Sequence, residues 1–315
     1  YEGDAKGDVY NPTLVLYFLK NFQRYCKYPR KLLDVNLAMD ANKIAYIAQL
    51  PQGEQVISQT LDESNPLTIP ELEDQFGMKE LLEQQHDRTF MVSLLYYFGV
   101  ITLDSQKSYE YLRLRIPNLV IRKLYVERLH KMFLPLAKDK NTAERMVRLV
   151  YQKGEIGPLC EFLEQRQFTI FDNRDYSQVN ELTIKTVFLT VLFNDTFYIM
   201  DSEPALQRRY GDLIMLIRPD MRRGTLWDIL IEFKYVPLGK NNLTGEQVRG
   251  MSQKDLFALK PVKAELADAK MQLLSYRATL NQVYGAGYLR LRTYAVVSVG
   301  YDRLVWKEVI GMSIN

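Results

Sequence analysis

The chain has 315 residues, 47% hydrophobic and 25% charged, a balance that fits an ordinary globular protein of about two domains and excludes a disordered or fibrous one. Its net charge of +3 marks neither a nucleic-acid nor a membrane surface, so any basic surface must be local. Cys26 and Cys160 lie far apart and outside any C-x-x-C, which disfavours a zinc site or disulfide framework and fits a reducing cytoplasm.

No apolar run reaches the roughly 18 residues of a membrane helix, and the opening YEGDAKGDVYNP reads as neither signal nor targeting segment. The expectation is a cytoplasmic protein with no membrane partner. The chain does not open on Met, which suggests a fragment. No G-x-x-x-x-G-K-[ST] occurs, so no ATP site is expected in this chain.

Asn11-Pro12 offers an N-cap-like residue and a proline at the first helical position. Leu14, Val15, Tyr17, Phe18, Leu19 and Phe22 then give that helix an apolar face. Residues 23–42 read as a second helical passage, and 49–70 as turn-rich short strands and loops. Asp87 to Phe98 has the spacing of an amphipathic helix stopped by Gly99. Val100 to Leu103 and Tyr109 to Arg115 read as a hairpin, and Leu119 to Phe133 as the next helix. Helix, hairpin and helix in this order resemble a winged-helix module. Lys107, Arg113, Arg115, Arg122, Lys123 and Arg128 would be its DNA contacts, although alternation with Leu112 and Leu114 equally describes a solvated strand face. Residues 138–167 read as helices Thr142 to Lys153 and Pro158 to Arg166. The domain boundary is expected near 155–167, giving domains of 1–160 and 165–315.

The second domain opens with a helix from Val179 to Leu192, whose Leu182, Val187, Phe188, Val191 and Leu192 are mostly at helical spacing. Strands follow at Thr196 to Ser202, Gly211 to Ile217 and Leu226 to Tyr235. Residues 238–260 are polar and read as loop. A helix to Tyr284, with Leu266 at its start, is broken by Gly285-Ala286-Gly287. Leu291 to Ser298 is a further strand and Leu304 to Val309 an edge strand. The order is α-β-β-β-α-β, in an α/β (α+β) fold class.

Chemistry concentrates in Tyr210 to Tyr235. Trp227, Ile229, Leu230 and Ile231 mark the second strand of a hairpin as buried on both faces. Charges are rarely placed there unless paired or metal-bound, yet the hairpin holds Asp212, Glu232 and Lys234. Glu232 and Lys234 are two apart, so they leave one face of the strand. Asp212, on the neighbouring antiparallel strand, lies close to Glu232 if the turn is a simple hairpin. Two carboxylates suit a hard divalent ion such as Mg2+ or Mn2+, and an ammonium beside them can orient water or offset developing negative charge. This is equipment for phosphodiester hydrolysis.

Asp212 followed by Glu232-Phe233-Lys234 resembles the PD-(D/E)XK nuclease superfamily. Gln272 and Tyr276 in the following helix resemble the Gln-containing motif of many members. Asn180 to Lys185, Ser202-Glu203 and Tyr210-Gly211-Asp212 resemble the branch in which this domain follows an AAA-ATPase-like domain in bacterial proteins. Tyr10-Asn11-Pro12 resembles a phrase near the end of that ATPase-like domain. The likeness covers residues 165–315 well and the first half weakly, and Gly211-Asp212 replaces the usual Pro-Asp. It implies a restriction-endonuclease-like core and a metal-dependent nuclease, with DNA as the expected partner and an upstream ATPase portion as another.

On this resemblance Asp212, Glu232 and the backbone carbonyl of Phe233 bind the metal. Lys234 orients water or stabilises charge, or acts as the base if burial lowers its pKa. Gln272 orients the water, Lys234 or a phosphate. Glu181 is the additional acid, with Glu203 its rival. Arg218, Arg222, Arg223 and Lys240 are candidate phosphate contacts or a solvated turn. His86 and His130 have no partner motif. A non-catalytic nucleic-acid-binding or protein-interaction module is the alternative, because such domains can keep the fold without the chemistry.

Overall fold

The computed structural model describes residues 12–26, 38–61, 66–74, 76, 87–104, 110–171, 181–200 and 213–310. The chain is mixed α+β and divides into two compact units, Tyr1–Ile57 with Thr68–Tyr125, and Ser58–Leu67 with Val126–Asn315.

The first unit contains α1 (Pro12–Tyr25), α2 (Ala38–Gln49), most of α3 (Gly53–Thr60), most of β1 (Leu67–Ile69), α4 (Arg88–Tyr97), β2 (Thr102–Leu103) and β3 (Leu112–Arg115). α5 (Leu119–Phe133) crosses the division at Tyr125. Asp87 caps α4 by accepting from the Phe90 N–H at 2.8 Å. Gly99, at φ +74°, turns the chain out of the helix. The strands form a sheet in the order β1-β3-β2, with Leu103 antiparallel to Leu114. The expected succession of helix, hairpin and helix is therefore present. Its basic residues are not all available for phosphate. Arg122 is buried, Arg113 sits 3.6 Å from Asp104, and Arg115 is exposed. Lys107 lies outside the described residues.

The second unit continues with α6 (Ala137–Lys153), α7 (Gly157–Phe171), α8 (Glu181–Leu192), β4 (Tyr198–Ile199), β5 (Leu213–Ile217), β6 (Asp228–Val236), α9 (Gly245–Gly250), α10 (Gln253–Ala258), α11 (Lys260–Tyr284), β7 (Leu291–Val299) and β8 (Arg303–Glu308). Its sheet runs β4-β5-β6-β7-β8. All neighbours are antiparallel except β6 and β7, which pair in parallel from Asp228↔Leu291 to Val236↔Val299. A parallel pair needs a crossover, and the segment carrying α11 supplies it. Strand residues alternate faces. Phe233 packs against Phe188 of α8, with the rings tilted by 51° and their centroids 5.0 Å apart, so α8 covers one face. Leu230 packs with Ala269, Leu273 and Tyr276, and Val236 with Val262, so α11 covers the other.

The sequence places residues up to 160 with the first half, but α6 and α7 pack on the sheet. The Tyr151 hydroxyl donates to Leu192 O at 2.7 Å, and the Tyr294 hydroxyl to Gly154 O at 2.6 Å. The Leu304 N–H donates to Glu164 at 2.5 Å. Residues 238–260, read as loop, instead hold two short helices, each set by a capping box: Thr244 with Gln247, and Ser252 with Asp255. α11 starts at Lys260, earlier than Leu266, because Pro261 occupies its first turn, where a missing N–H costs nothing. Among the described residues no helix is long and apolar enough to cross a membrane.

Candidate functional site

The face of β6 beneath α11 reads Leu230, Glu232, Lys234, Val236. The two charges lie between two apolar clusters, one around Leu230, Leu273 and Ala295 and the other around Val236, Val262 and Val297, with Leu266 packed on both. Glu232 is only 3% exposed. Lys234 Nζ is 3.2 Å from Glu232 Oε1 and 2.9 Å from Asp268 Oδ2. Gln272 Nε2 donates to the same Asp268 oxygen at 2.7 Å, and the Tyr276 hydroxyl donates to Gln272 Oε1 at 3.4 Å. Asp268, Gln272 and Tyr276 follow one another at four-residue spacing, so one side of α11 presents all three. Apolar walls strengthen such a network when it is complete and penalise it when it is broken.

Asp268 is absent from the sequence-derived set. Its four-residue spacing from Gln272 is the one signal that could have found it. Burial pushes the Lys234 ammonium down, but the hydrogen bond to Asp268 and the charge of Glu232 outweigh it and hold the group well above the ordinary lysine range. Burial alone therefore does not lower the Lys234 pKa, the condition on which the sequence made it a base. The hydrogen bond from Lys234 holds the Asp268 carboxyl below the usual carboxylate range, against a smaller effect of desolvation. A depressed carboxyl contributes stability that is present above its unfolded pKa and lost as pH falls through the folded value. Acidification below about pH 4 should therefore weaken the α11–β6 contact. Acid titration of Asp268→Asn beside the parent chain, followed by circular dichroism, should show a shallower loss in the variant, and superimposable curves would contradict this.

Asp212 and Glu203 lie outside the described residues. Leu213, which follows Asp212, pairs with Ile231, which precedes Glu232. Glu181 opens α8, the helix whose Phe188 packs on the Phe233 face of the sheet. Phe233 buries its ring against Phe188 while its backbone belongs to the stretch paired with β7. Among the described residues no three His, Cys, Asp or Glu side chains gather as a metal group. Glu232 is the one buried carboxylate of the network, and the second ligand of the expected pair, Asp212, falls beyond those residues.

The basic turn is not at this site. It joins the end of β5 to the start of β6, so about 13 Å of strand separates Asp228 from Glu232. Its arginines also have other partners. Arg222 Nη1 and Nη2 lie 3.1 and 3.0 Å from Asp228, and its guanidinium stacks 4.3 Å above the Tyr288 ring. Arg218 pairs with Asp220 at 3.1 Å and donates to Asp195 O at 3.2 Å. Arg223 is exposed. Lys240 is exposed and follows β6 at the Lys234 end. His86 is outside the described residues, and burial first, then Lys140, lowers the His130 pKa.

What the described site can do chemically is hold one cation and one amide donor at a common point beside a buried carboxylate. Comparison with protein-family models, curated proteins and solved structures gave no match for this chain.

Proposed function

We propose that the sheet unit is a divalent-metal-dependent phosphodiesterase acting on nucleic acid, DNA in the first instance, of the PD-(D/E)XK type. The observation that carries the reading is the convergence of Glu232, Lys234, Asp268 and Gln272 between β6 and α11. The α-β-β-β-α-β order with β6 and β7 parallel supports a restriction-endonuclease-like core. So does the Leu213↔Ile231 register, which flanks Asp212 and Glu232. The oxygen donors fit Mg2+ or Mn2+: Asp212, Glu232 and the Phe233 carbonyl would hold it, with water completing the shell. The ion supplies Lewis-acid polarisation and a more acidic bound water. Lys234 binds and offsets negative phosphate charge, and Gln272 orients what Lys234 holds. On the same reading the partners are nucleic acid and an upstream ATPase-like region, and the compartment is the cytoplasm.

Manganese calorimetry tests it. We expect one site in the parent chain, weakened at least about tenfold in Glu232→Gln. Absence of a binding isotherm in the parent chain refutes the metal reading.

A second reading, a non-catalytic nucleic-acid-binding or protein-interaction module, is favoured by one observation: the Lys234 charge is already matched by two carboxylates. It predicts binding that weakens with salt and no hydrolysis.

A further inference from the structure

The two partners of Lys234 are unequal. The Glu232 side chain is 4% exposed and fixed to the centre of a sheet, whereas the Asp268 side chain is 46% exposed on a helix. Glu232 is buried in the sheet, where parting a carboxylate from a cation is costly. Asp268 can turn into water more readily than Glu232, because its carboxylate is already partly hydrated and Lys234 would keep Glu232 as a partner. Asp268 is also the nearer of the two.

The donors around Asp268 show what could replace it. Lys234 Nζ at 2.9 Å and Gln272 Nε2 at 2.7 Å converge on one atom, Asp268 Oδ2. A cation and a neutral N–H aimed at a common point form a cradle for a single anionic oxygen, and charge-assisted bonds of this length are the strong ones. The carboxylate oxygen now in that cradle is chemically similar to a phosphate oxygen. We propose that Lys234 and Gln272 form an oxyanion site, that Asp268 is its displaceable counter-ion, and that a phosphate group binds by taking the place of Oδ2. The choice of phosphate as ligand rests on the function proposed above; the cradle itself rests only on the contacts.

This arrangement makes Asp268 a guard. A weakly bound or adventitious anion has to compete with a tethered carboxylate, whereas a ligand held by further contacts displaces it. Removing the Asp268 charge while keeping its shape should therefore open the site.

The test is anion binding in EDTA, where no metal takes part, read by calorimetry for the full chain, Asp268→Asn and Asp268→Ala. The probes are inorganic phosphate and a thymidine dinucleotide with one phosphodiester. Glu246→Gln removes the same charge from an exposed position in the first turn of α9 and controls for net charge. We expect Asp268→Asn to bind phosphate at least threefold more tightly than the parent, Asp268→Ala to change in the same direction, and Glu246→Gln to match the parent. Adding Gln272→Leu to Asp268→Asn should take back part of the gain. Tightening of the dinucleotide assigns the site to a nucleic-acid backbone, and tightening of inorganic phosphate alone assigns it to a free or terminal phosphate. Equal or weaker binding of both probes in the two Asp268 variants overturns the proposal. Because metal is absent, that failure is separate from a failure of manganese binding or cleavage, which would leave the anion result standing.

Discussion

Asp228→Ala is expected to lower the stability of the sheet unit by about 3–5 kcal/mol, the cost of removing one partner from a buried charge pair. Asp228 is 0% exposed, and its carboxylate is saturated. It accepts from the Ile217 N–H at 2.8 Å, the Arg290 N–H at 2.8 Å, and both terminal nitrogens of Arg222. One side chain thus ties the end of β5, the approach to β7 and the turn between β5 and β6 to the first residue of β6. Alanine leaves two backbone N–H groups and a guanidinium without their acceptor. Asp228→Asn keeps the shape but not the charge, and should cost less. The urea midpoint should fall steeply for alanine at an unchanged slope. A midpoint equal to that of the parent would show that the carboxylate is dispensable.

Asp228 also shows where reading the sequence ran out. It stands in the same apolar run as Glu232 and is just as charged, but at the start of a strand after a polar turn it looks like a turn residue. Glu232 and Lys234 were legible because alternation on a strand is local and two-residue spacing fixes their common face. Much of the order of helices and strands was legible for the same reason, since periodicity is a property of neighbours, but residues 49–70, read as short strands and loops, hold the helix α3. Asp268 was not legible, because its role depends on a crossover that brings α11 over β6, and its four-residue spacing from Gln272 shows only that the two share a helix face. The turn arginines failed in the same way: sequence displays their charge but not Asp228 or Tyr288, onto which Arg222 folds. The capping boxes of α9 and α10 were visible, yet helices this short carry too little periodicity to be recognised beside them. The boundary expected near 155–167 rested on local sequence alone, whereas Tyr151, Gly154 and Glu164 tie both flanking helices to the sheet.

If the sheet unit is the metal-dependent nuclease proposed above, Lys234→Met is expected to reduce cleavage by about 10²- to 10³-fold, the usual loss on removing one group that stabilises developing charge. The difficulty is that the same change leaves Glu232 buried beside a methyl group, so stability falls too, by about 3 kcal/mol. Loss of activity in that variant alone would not separate chemistry from folding. The double variant Glu232→Gln with Lys234→Met does. It removes both charges, and replacing a buried pair by neutral groups of similar volume is often close to neutral. Its urea midpoint should return most of the way to that of the parent while cleavage stays absent. If Lys234→Met instead cleaves within a few-fold of the parent under conditions where it is folded, the ammonium serves only to neutralise Glu232 and Asp268. The network would then be structural, since an ion pair that can be lost without chemical consequence takes no part in the cleavage, and the group that offsets developing charge would be another.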